Sequence, residues 1–122
     1  MRDEGLYFDD ILEAAEHIRQ FLDGVSLEYF LESEIIKSAV IQKLTVIGEA
    51  VPRISDSTKA RYPSINWKSI RDFRNIAVHV YYELDWNTVW ETATSDVSSL
   101  ANEIAHIIEL DFPIPKDEER GD

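Results

Sequence analysis

Cysteine is absent from the 122 residues of the chain. This absence excludes a disulfide framework, a thiolate metal site and a cysteine nucleophile. Long apolar runs are absent as well: no window of about 18 apolar residues occurs, so we predict no membrane-spanning helix. The first residues, Met-Arg-Asp-Glu-Gly, lack the apolar segment of a secretory signal. Together these absences predict a cytoplasmic protein.

Basic residues are scarce relative to acidic ones, because 12 Lys and Arg stand against 24 Asp and Glu and the formal net charge is −12. Such a balance argues against a nucleic-acid partner, since contacts with phosphate need Lys and Arg. The distribution of the charge reverses that argument. Residues 53–74, called the basic segment below, have a local balance of +4, with Asp56 and Asp72 against Arg53, Lys59, Arg61, Lys68, Arg71 and Arg74. This segment can position a polyanion while the acidic remainder repels it; the alternative is a chance cluster of solvated charge.

Apolar residues recur at helical spacing along most of the chain, and no stretch has the pattern of a strand. The predicted helices cover residues 8–23, 34–52, 67–82, 86–92 and 96–110, with a turn at 27–31 and a short helix near 56–61. Ser33, Asn66 and Asp85 are typical N-cap residues. We therefore predict one all-α domain over residues 1–110, an up-and-down bundle of about four to five main helices. A charged, mobile tail follows at 111–122.

The helix predicted at 34–52 is apolar over a wide arc, which indicates that it is covered on more than one side. Gly48 within it costs about 1 kcal/mol relative to alanine, so we expect it to permit the close approach of another helix. Glu49 is either a surface acid or a partner for an arginine of the segment described next. Trp67, in the first turn after Asn66, is interpreted as a packing anchor rather than a platform for base stacking.

Residues 71–82, Arg-Asp-Phe-Arg-Asn-Ile-Ala-Val-His-Val-Tyr-Tyr, combine an apolar stripe with a dense polar set. On a helix with 3.6 residues per turn, one side carries Ile70, Phe73, Ile76, Ala77 and Val80. The other side carries Arg71, Arg74, Asn75, His79 and Tyr82, with Tyr81 near its margin. A surface needs charge, but rarely two arginines, an amide and an imidazole within nine residues. These groups form a chemical site, or else they are surface filler or interface polar groups that satisfy each other.

The spacing Arg74-x4-His79-x-Tyr81 resembles the RX4HXY signature of HepT-like toxins, a branch of the HEPN superfamily of small all-helical RNases. The flanking sequence is similar to the family pattern in the same order: Ile47-Gly48-Glu49-Ala50, Tyr62-Pro63, Trp67, and the run from Tyr81 through Asp85 to Val89-Trp90. The resemblance extends over roughly residues 8 to 110. It implies a HEPN-type bundle and a metal-independent endoribonuclease that needs no cofactor.

The resemblance also implies a role for each polar residue of the motif. His79 would be the general acid or base, because its ordinary pKa suits proton transfer near neutral pH. Arg74 would hold the phosphate and stabilise the transition state, since its charged planar fork matches phosphate oxygens. Asn75 would be an orienting hydrogen-bonding residue, and Arg71 would support the site. The motif contains no acidic cluster with metal-ligand spacing, which agrees with metal independence.

HepT-like toxins are paired with a small MNT-type nucleotidyltransferase that serves as antitoxin. The resemblance therefore implies the toxin of a type II- or VII-like toxin–antitoxin pair, with Tyr81 as the residue that the partner adenylylates. Whether such an antitoxin acts by AMPylation or by masking the surface stays open at this point. The competing interpretation is a non-catalytic helical adaptor, or a substrate-binding subunit for a nucleotidyltransferase.

The spacing of the two catalytic candidates predicts a homodimer. Arg74 and His79 are five residues apart, hence about 140° apart on an ideal helix, so one chain alone forms a loose site. Two such helices that face each other across a twofold axis would surround one cleft with Arg and His from both chains. The family resemblance implies the same dimer, alone or within a larger hetero-complex. The identity of the RNA does not follow from the sequence.

Overall fold

The computed structural model describes residues 3–75 and 85–113, and these ranges are helical with short connections. In chain order they contain α1 Glu4–Leu22, α2 Leu27–Glu32, α3 Glu34–Ala50, a 3-10 turn Val51–Arg53, α4 Asp56–Ala60, α5 Trp67–Arg71, α6 Trp86–Glu91, a π-helical turn Thr92–Asp96 and α7 Val97–Asp111. The predicted all-α bundle is confirmed. Within the same ranges, no helix is long and apolar enough to cross a membrane.

Helix α1 lies at the centre of the packing, because both α3 and α7 pack against it. Its apolar residues recur every three or four positions, and Phe8, Ile11 and Ile18 are completely buried. Leu44 of α3 and Ile104 of α7 are buried equally well from the two sides. Each such side chain contributes roughly 1.5–3 kcal/mol by leaving water. The long helices are therefore held together along α1.

The first helix begins earlier than the sequence pattern predicts, at Glu4 rather than at residue 8. The reason is a cap that the apolar periodicity does not reveal. Asp3 Oδ1 accepts a hydrogen bond from the backbone N–H of Gly5 at 2.8 Å, which satisfies one of the free donors of the first turn. The end of the helix is as predicted, since the chain leaves it at Gly24 with φ of +71°.

Helix α3 begins and ends close to the predicted residues, and Ser33 caps it by accepting from the N–H of Ile36. Its wide apolar arc is covered by α1, α2 and α5, as expected. Ile35 is the exception, because 83% of its surface remains exposed. The covered arc thus extends over most of the helix and leaves Ile35, in the first turn, exposed.

The separation predicted between the helices at 86–92 and 96–110 is wrong. Residues Thr92–Asp96 form a π-helical turn, so the chain stays helical from Trp86 to Asp111. The polar run Thr-Ala-Thr-Ser-Asp has the composition of a loop, but hydroxyls in and just after it bond to helix carbonyls. Thr94 Oγ1 donates to the carbonyl of Trp90, and Ser98 Oγ, in α7, donates to that of Thr94.

A continuous helix from residue 67 through the motif is also wrong for the described part. Asn66 caps α5 as predicted, by accepting from the N–H of Ser69. The helix ends at Arg71, Asp72 is its C-cap in a turn, and residues 73–75 are helical again. The N–H of Asn75 bonds to the carbonyl of Asp72 at 2.9 Å, which closes that turn. Residues 76–84 lie outside the described residues.

The last helix continues one residue into the predicted tail and ends at Asp111. Phe112 then packs its ring on that of Phe8, with centroids 5.2 Å apart. Gly5 eases this contact, since a Cβ there would lie 3.1 Å from the ring of Phe112 and the ring would have to shift slightly. The hydrophobic packing therefore includes Phe112, and residues 114–122 of the predicted tail lie outside the described residues.

The N-terminal turn of α1 is joined to α4 by the carboxylate of Glu4. This carboxylate accepts hydrogen bonds from the N–H of Ser55 and from the hydroxyl of Thr58. Burial raises the pKa of Glu4, while the bonds from Thr58 and Ser55 and the charge of Arg61 lower it, and the net pKa lies below its ordinary value. The ionised carboxylate therefore stabilises the fold.

We predict that Glu4→Gln lowers the free energy of unfolding at pH 7 by about 1 kcal/mol, because it removes a charge-assisted acceptor. The pKa of Glu4 is lower in the folded state, so its contribution is present above the unfolded pKa and is lost as the pH falls through the folded pKa. Urea unfolding at pH 7 and below pH 4 measures both effects. Glu13→Gln, on the exposed side of the same helix, is the control. An equal loss of stability at both pH values would contradict this assignment.

Candidate active site

The described half of the motif has the two faces that the sequence predicts. Ile70 and Phe73 are buried, each with 6% of its surface exposed. Arg71, Arg74 and Asn75 are exposed. The structure thus brings these three predicted site residues to the surface within five positions. His79 and Tyr81, the other two predicted site residues, lie outside the described residues.

Asn75 is tied to Asp72, a residue that the sequence interpretation did not include in the site. The amide Nδ2 of Asn75 lies 3.5 Å from Asp72 Oδ1, in addition to the backbone bond between the same residues. In this arrangement the nitrogen end of the Asn75 amide faces Asp72. The signal for it was the three-residue spacing of an acid and an amide, which places the two side chains together in a helical turn.

Gly48 of α3 supports the backbone of the motif from behind. A Cβ built on Gly48 would lie 2.6 Å from the backbone nitrogen of Arg74 and 3.0 Å from the carbonyl oxygen of Arg71. Real Cβ atoms do not approach backbone so closely, so only glycine fits here. The predicted close approach is confirmed, and its partner is the segment that carries the two arginines.

Glu49 lies next to this contact, and its side chain is exposed. It borders a cleft of about 320 Å³ whose other charged residues are Asp10 and Arg53. Among residues 3–75 and 85–113, Glu49 forms no salt bridge with Arg71 or Arg74. The described contacts therefore place Glu49 at the surface beside the motif.

The basic segment exposes most of its positive charge. Arg53, Arg61, Lys68, Arg71 and Arg74 are exposed, and Lys59 is half-buried. Arg61 is the one of these that the described part of the chain pairs, with Asp111 at 3.6 Å. Within the described ranges the other exposed cations of the segment form no salt bridge, so their charge faces solvent there.

Trp67 is a packing residue, as predicted. Its indole N–H donates to the carbonyl of Lys59 at 3.2 Å, and its ring meets Phe8 edge to face at 6.3 Å. The contact links the start of α5 to the core and so fixes where the motif begins. Elsewhere in the described ranges, no group of three or more His, Asp or Glu residues has the arrangement of a metal site.

The model of the family described as ribonuclease HepT-like matches residues 11–107. A protein of Methanocaldococcus jannaschii that carries an RNase name is 36% identical over 107 residues, covering 88% of each chain. A Thermococcus cleftensis protein named "Probable ribonuclease HepT" is 35% identical over 94 residues, covering 77% of this chain and 86% of its own. No solved structure matches the chain. The chain belongs to the HepT-like ribonuclease family, and the resemblance drawn from the motif is confirmed.

We predict that Gly48→Ala lowers the free energy of unfolding by about 1–3 kcal/mol, because the added methyl would meet the backbone of Arg74. Helix propensity alone predicts the opposite sign, since alanine is favoured over glycine by about 1 kcal/mol. Urea unfolding decides between the two. Gln42→Ala, on an exposed position of the same helix, should change stability by no more than about 0.5 kcal/mol. A Gly48→Ala variant as stable as the wild type would refute the close contact.

Proposed function

We propose that the chain is the toxin of a toxin–antitoxin pair and cleaves RNA as a metal-independent endoribonuclease. The observation that carries the proposal is the exposure of Arg71, Arg74 and Asn75 on a backbone braced by Gly48, in a member of the HepT-like ribonuclease family. His79 follows four residues after Asn75 and supplies the titratable group. The net charge of −12 does not oppose this function, because the basic segment presents its cations at the surface.

The chemistry requires two groups. A base removes the proton of a ribose 2′-OH, the 2′-oxygen attacks the adjacent phosphorus, and the bond to the 5′-oxygen of the next nucleotide breaks. The 5′-oxygen takes up a proton as it leaves, and the other product carries a 2′,3′-cyclic phosphate. His79 serves the proton transfers, since its ordinary pKa lies near neutrality. Arg74 stabilises the charge that develops on the phosphate oxygens.

Arg71 and Asn75 position the phosphate for this step. The Asn75 amide nitrogen faces Asp72, so its carbonyl oxygen is left to accept a hydrogen bond from the ribose or a base. Arg71 places a second guanidinium three residues before Arg74, close enough to hold a neighbouring phosphate. The close backbone contact at Gly48 would hold the segment that carries Arg71 and Asn75 in place when the polyanion binds.

The active unit is a homodimer in this proposal. The offset of about 140° predicted for Arg74 and His79 on an ideal helix separates them on one chain. A twofold axis through the motif would place Arg74 of one chain opposite His79 of the other. The RNA would then bind in a cleft to which both chains contribute.

Control by a partner nucleotidyltransferase completes the proposal. The enzyme would attach AMP from ATP to the hydroxyl of Tyr81 and release pyrophosphate. Tyr81 is predicted to lie about 20° from Arg74 around the helix, so the new phosphate would reach the guanidinium that holds the RNA. The modification would compete with RNA for the site without unfolding the protein.

We predict that Arg74→Ala and His79→Ala each lower RNA cleavage in excess chelator by at least about 100-fold. Arg74 is exposed, so its removal should change the free energy of unfolding by no more than about 0.5 kcal/mol. Cleavage is measured on labelled RNA with purified protein, and stability by urea unfolding. Lys68→Ala, another exposed cation of the basic segment, is the matched control and should retain most of the activity. Wild-type protein that cleaves no RNA above the His79→Ala background would favour the non-catalytic adaptor.

Mixing the two inactive variants tests the composite site. Random pairing of the two variants makes half of all dimers heterodimers. If Arg74 and His79 act across the dimer, each heterodimer has one of its two sites complete, so about a quarter of the activity returns. Restored cleavage requires that the subunits exchange, which is checked by sedimentation of differently tagged chains. Exchange without any restored cleavage would show that Arg74 and His79 act within one chain.

For the regulatory step, we predict that a cognate nucleotidyltransferase with ATP adds one AMP group, about 329 Da, to the wild type and to Tyr82→Phe. It should add none to Tyr81→Phe. Peptide mass spectrometry locates the adduct, and RNA cleavage is measured before and after the reaction. The Tyr81→Phe protein should stay active in the presence of the partner. If the partner silences Tyr81→Phe as fully as the wild type, inhibition occurs by masking of the surface.

A further inference from the structure

A groove of about 330 Å³ runs between α5 and α7, beside the motif and on its buried side. Its floor is apolar and consists of Ile65, Ile70, Phe73 and Leu100, each with no more than 6% of its surface exposed. The groove is large enough for a small organic group, since ligand pockets begin near about 300 Å³. It offers a flat group an apolar surface on which to lie.

The rim of the groove is rich in hydrogen-bond acceptors. Glu103 and Asp96 lie seven residues apart on the same side of the helix that ends in α7, and both border the groove. The hydroxyl of Ser64 lies 3.5 Å from Glu103 Oε2, so this carboxylate is held across the opening. Ser69 and Ser99 line the space between the two acids. The two carboxylates of the rim therefore favour a group that carries N–H donors.

The groove adjoins the proposed site through Phe73. This residue forms part of the floor, and Arg74 and Asn75 follow it directly with their side chains exposed. Phe73 and Arg74 are neighbours in the chain, so a base bound in the groove and a phosphate held by Arg74 would lie on the two sides of the same short segment. The acidic rim repels phosphate and the exposed arginines attract it. A base of the RNA strand would thus lie in the groove, while its phosphate would lie on the side of the motif that exposes the arginines.

We propose that the groove between α5 and α7 binds one nucleobase of the RNA substrate and favours bases with an exocyclic amino group, guanine above all. A carboxylate can accept from the N1–H and the 2-amino group of guanine together, whereas uracil has no exocyclic amine. Single-stranded RNA presents such edges because its bases can leave the stack and lie on apolar side chains. The inference rests on the proposed function and names the sequence preference of the same site.

The test uses 2′-O-methyl oligonucleotides, which cannot be cleaved because the nucleophile is blocked. Oligouridine with a single guanosine, inosine or uridine at the centre is titrated against the full-length protein by fluorescence anisotropy. Guanosine should bind about tenfold more tightly than uridine, and inosine, which lacks the 2-amino group, should lose most of that advantage. Equal binding of the three oligonucleotides overturns the proposal.

The variant Glu103→Gln identifies the group responsible. It keeps the size of the side chain but replaces one acceptor with a donor, so guanosine and inosine should then bind about equally. Glu109→Gln, an exposed position on the same helix, should leave it unchanged. Ser99→Phe fills the groove from an exposed position and should abolish the preference, while Ala105→Phe should not. A preference that survives both Glu103→Gln and Ser99→Phe overturns the assignment to this groove.

Cleavage separates this inference from the proposed function. If the wild type cleaves RNA and Glu103→Gln does not change which bases it prefers, the proposed ribonuclease activity is supported and the groove proposal fails. If no RNA is cleaved but guanosine binding depends on Glu103, the groove stands and the proposed reaction fails. Should Ser99→Phe instead change the sedimenting mass of the protein and leave binding intact, the groove is an interface between subunits and the proposal is wrong.

Discussion

The approach of α3 to the motif at Gly48 is the constraint on which the rest of the site depends. Backbone meets backbone there without an intervening side chain. As a result, the exposed positions of Arg71 and Arg74 are fixed by the core of the bundle rather than by contacts among themselves. Ile70 and Phe73 face inward from the same few residues and add buried side chains to this contact with the core. Under the proposed function, the surface that binds RNA would thus be carried by backbone that is packed tightly against the core.

The features that local chemistry determines could be predicted from the sequence. Ser33, Asn66 and Asp85 cap the helices that follow them, because a cap depends only on the neighbouring three residues. The inward side of the motif was predictable for the same reason, since Ile70 and Phe73 follow helical spacing. The family could be inferred too, because the motif keeps both residue type and spacing, and the match to residues 11–107 confirms it.

Features that depend on distant residues could not be predicted in this way. Gly48 indicated that another segment approaches α3 closely, but it did not indicate which one, since Arg74 is 26 positions further along the chain. The groove between α5 and α7 combines residues near 64–73 with residues near 96–103, and nothing in either stretch points to the other. The cap by Asp3 and the bond from Thr94 to Trp90 were missed because polar residues at these places fit a loop equally well.

The π-helical turn at Thr92–Asp96 constrains where related chains can gain or lose residues. Such a turn accommodates one more residue than an α-helical turn, so it rotates everything before it by about 100° relative to everything after it. Phe30 packs against Trp86 and Trp90 on the upstream side, while Val97 and Leu100 face the core on the downstream side. The two halves are in phase with their own neighbours only because of that extra residue. Deletion of a single polar residue here, such as Ser95, would remove no apolar side chain, yet it would turn one half of the helix away from its partners. Variation in length among related chains should therefore avoid this turn and accumulate in the connections on either side of it.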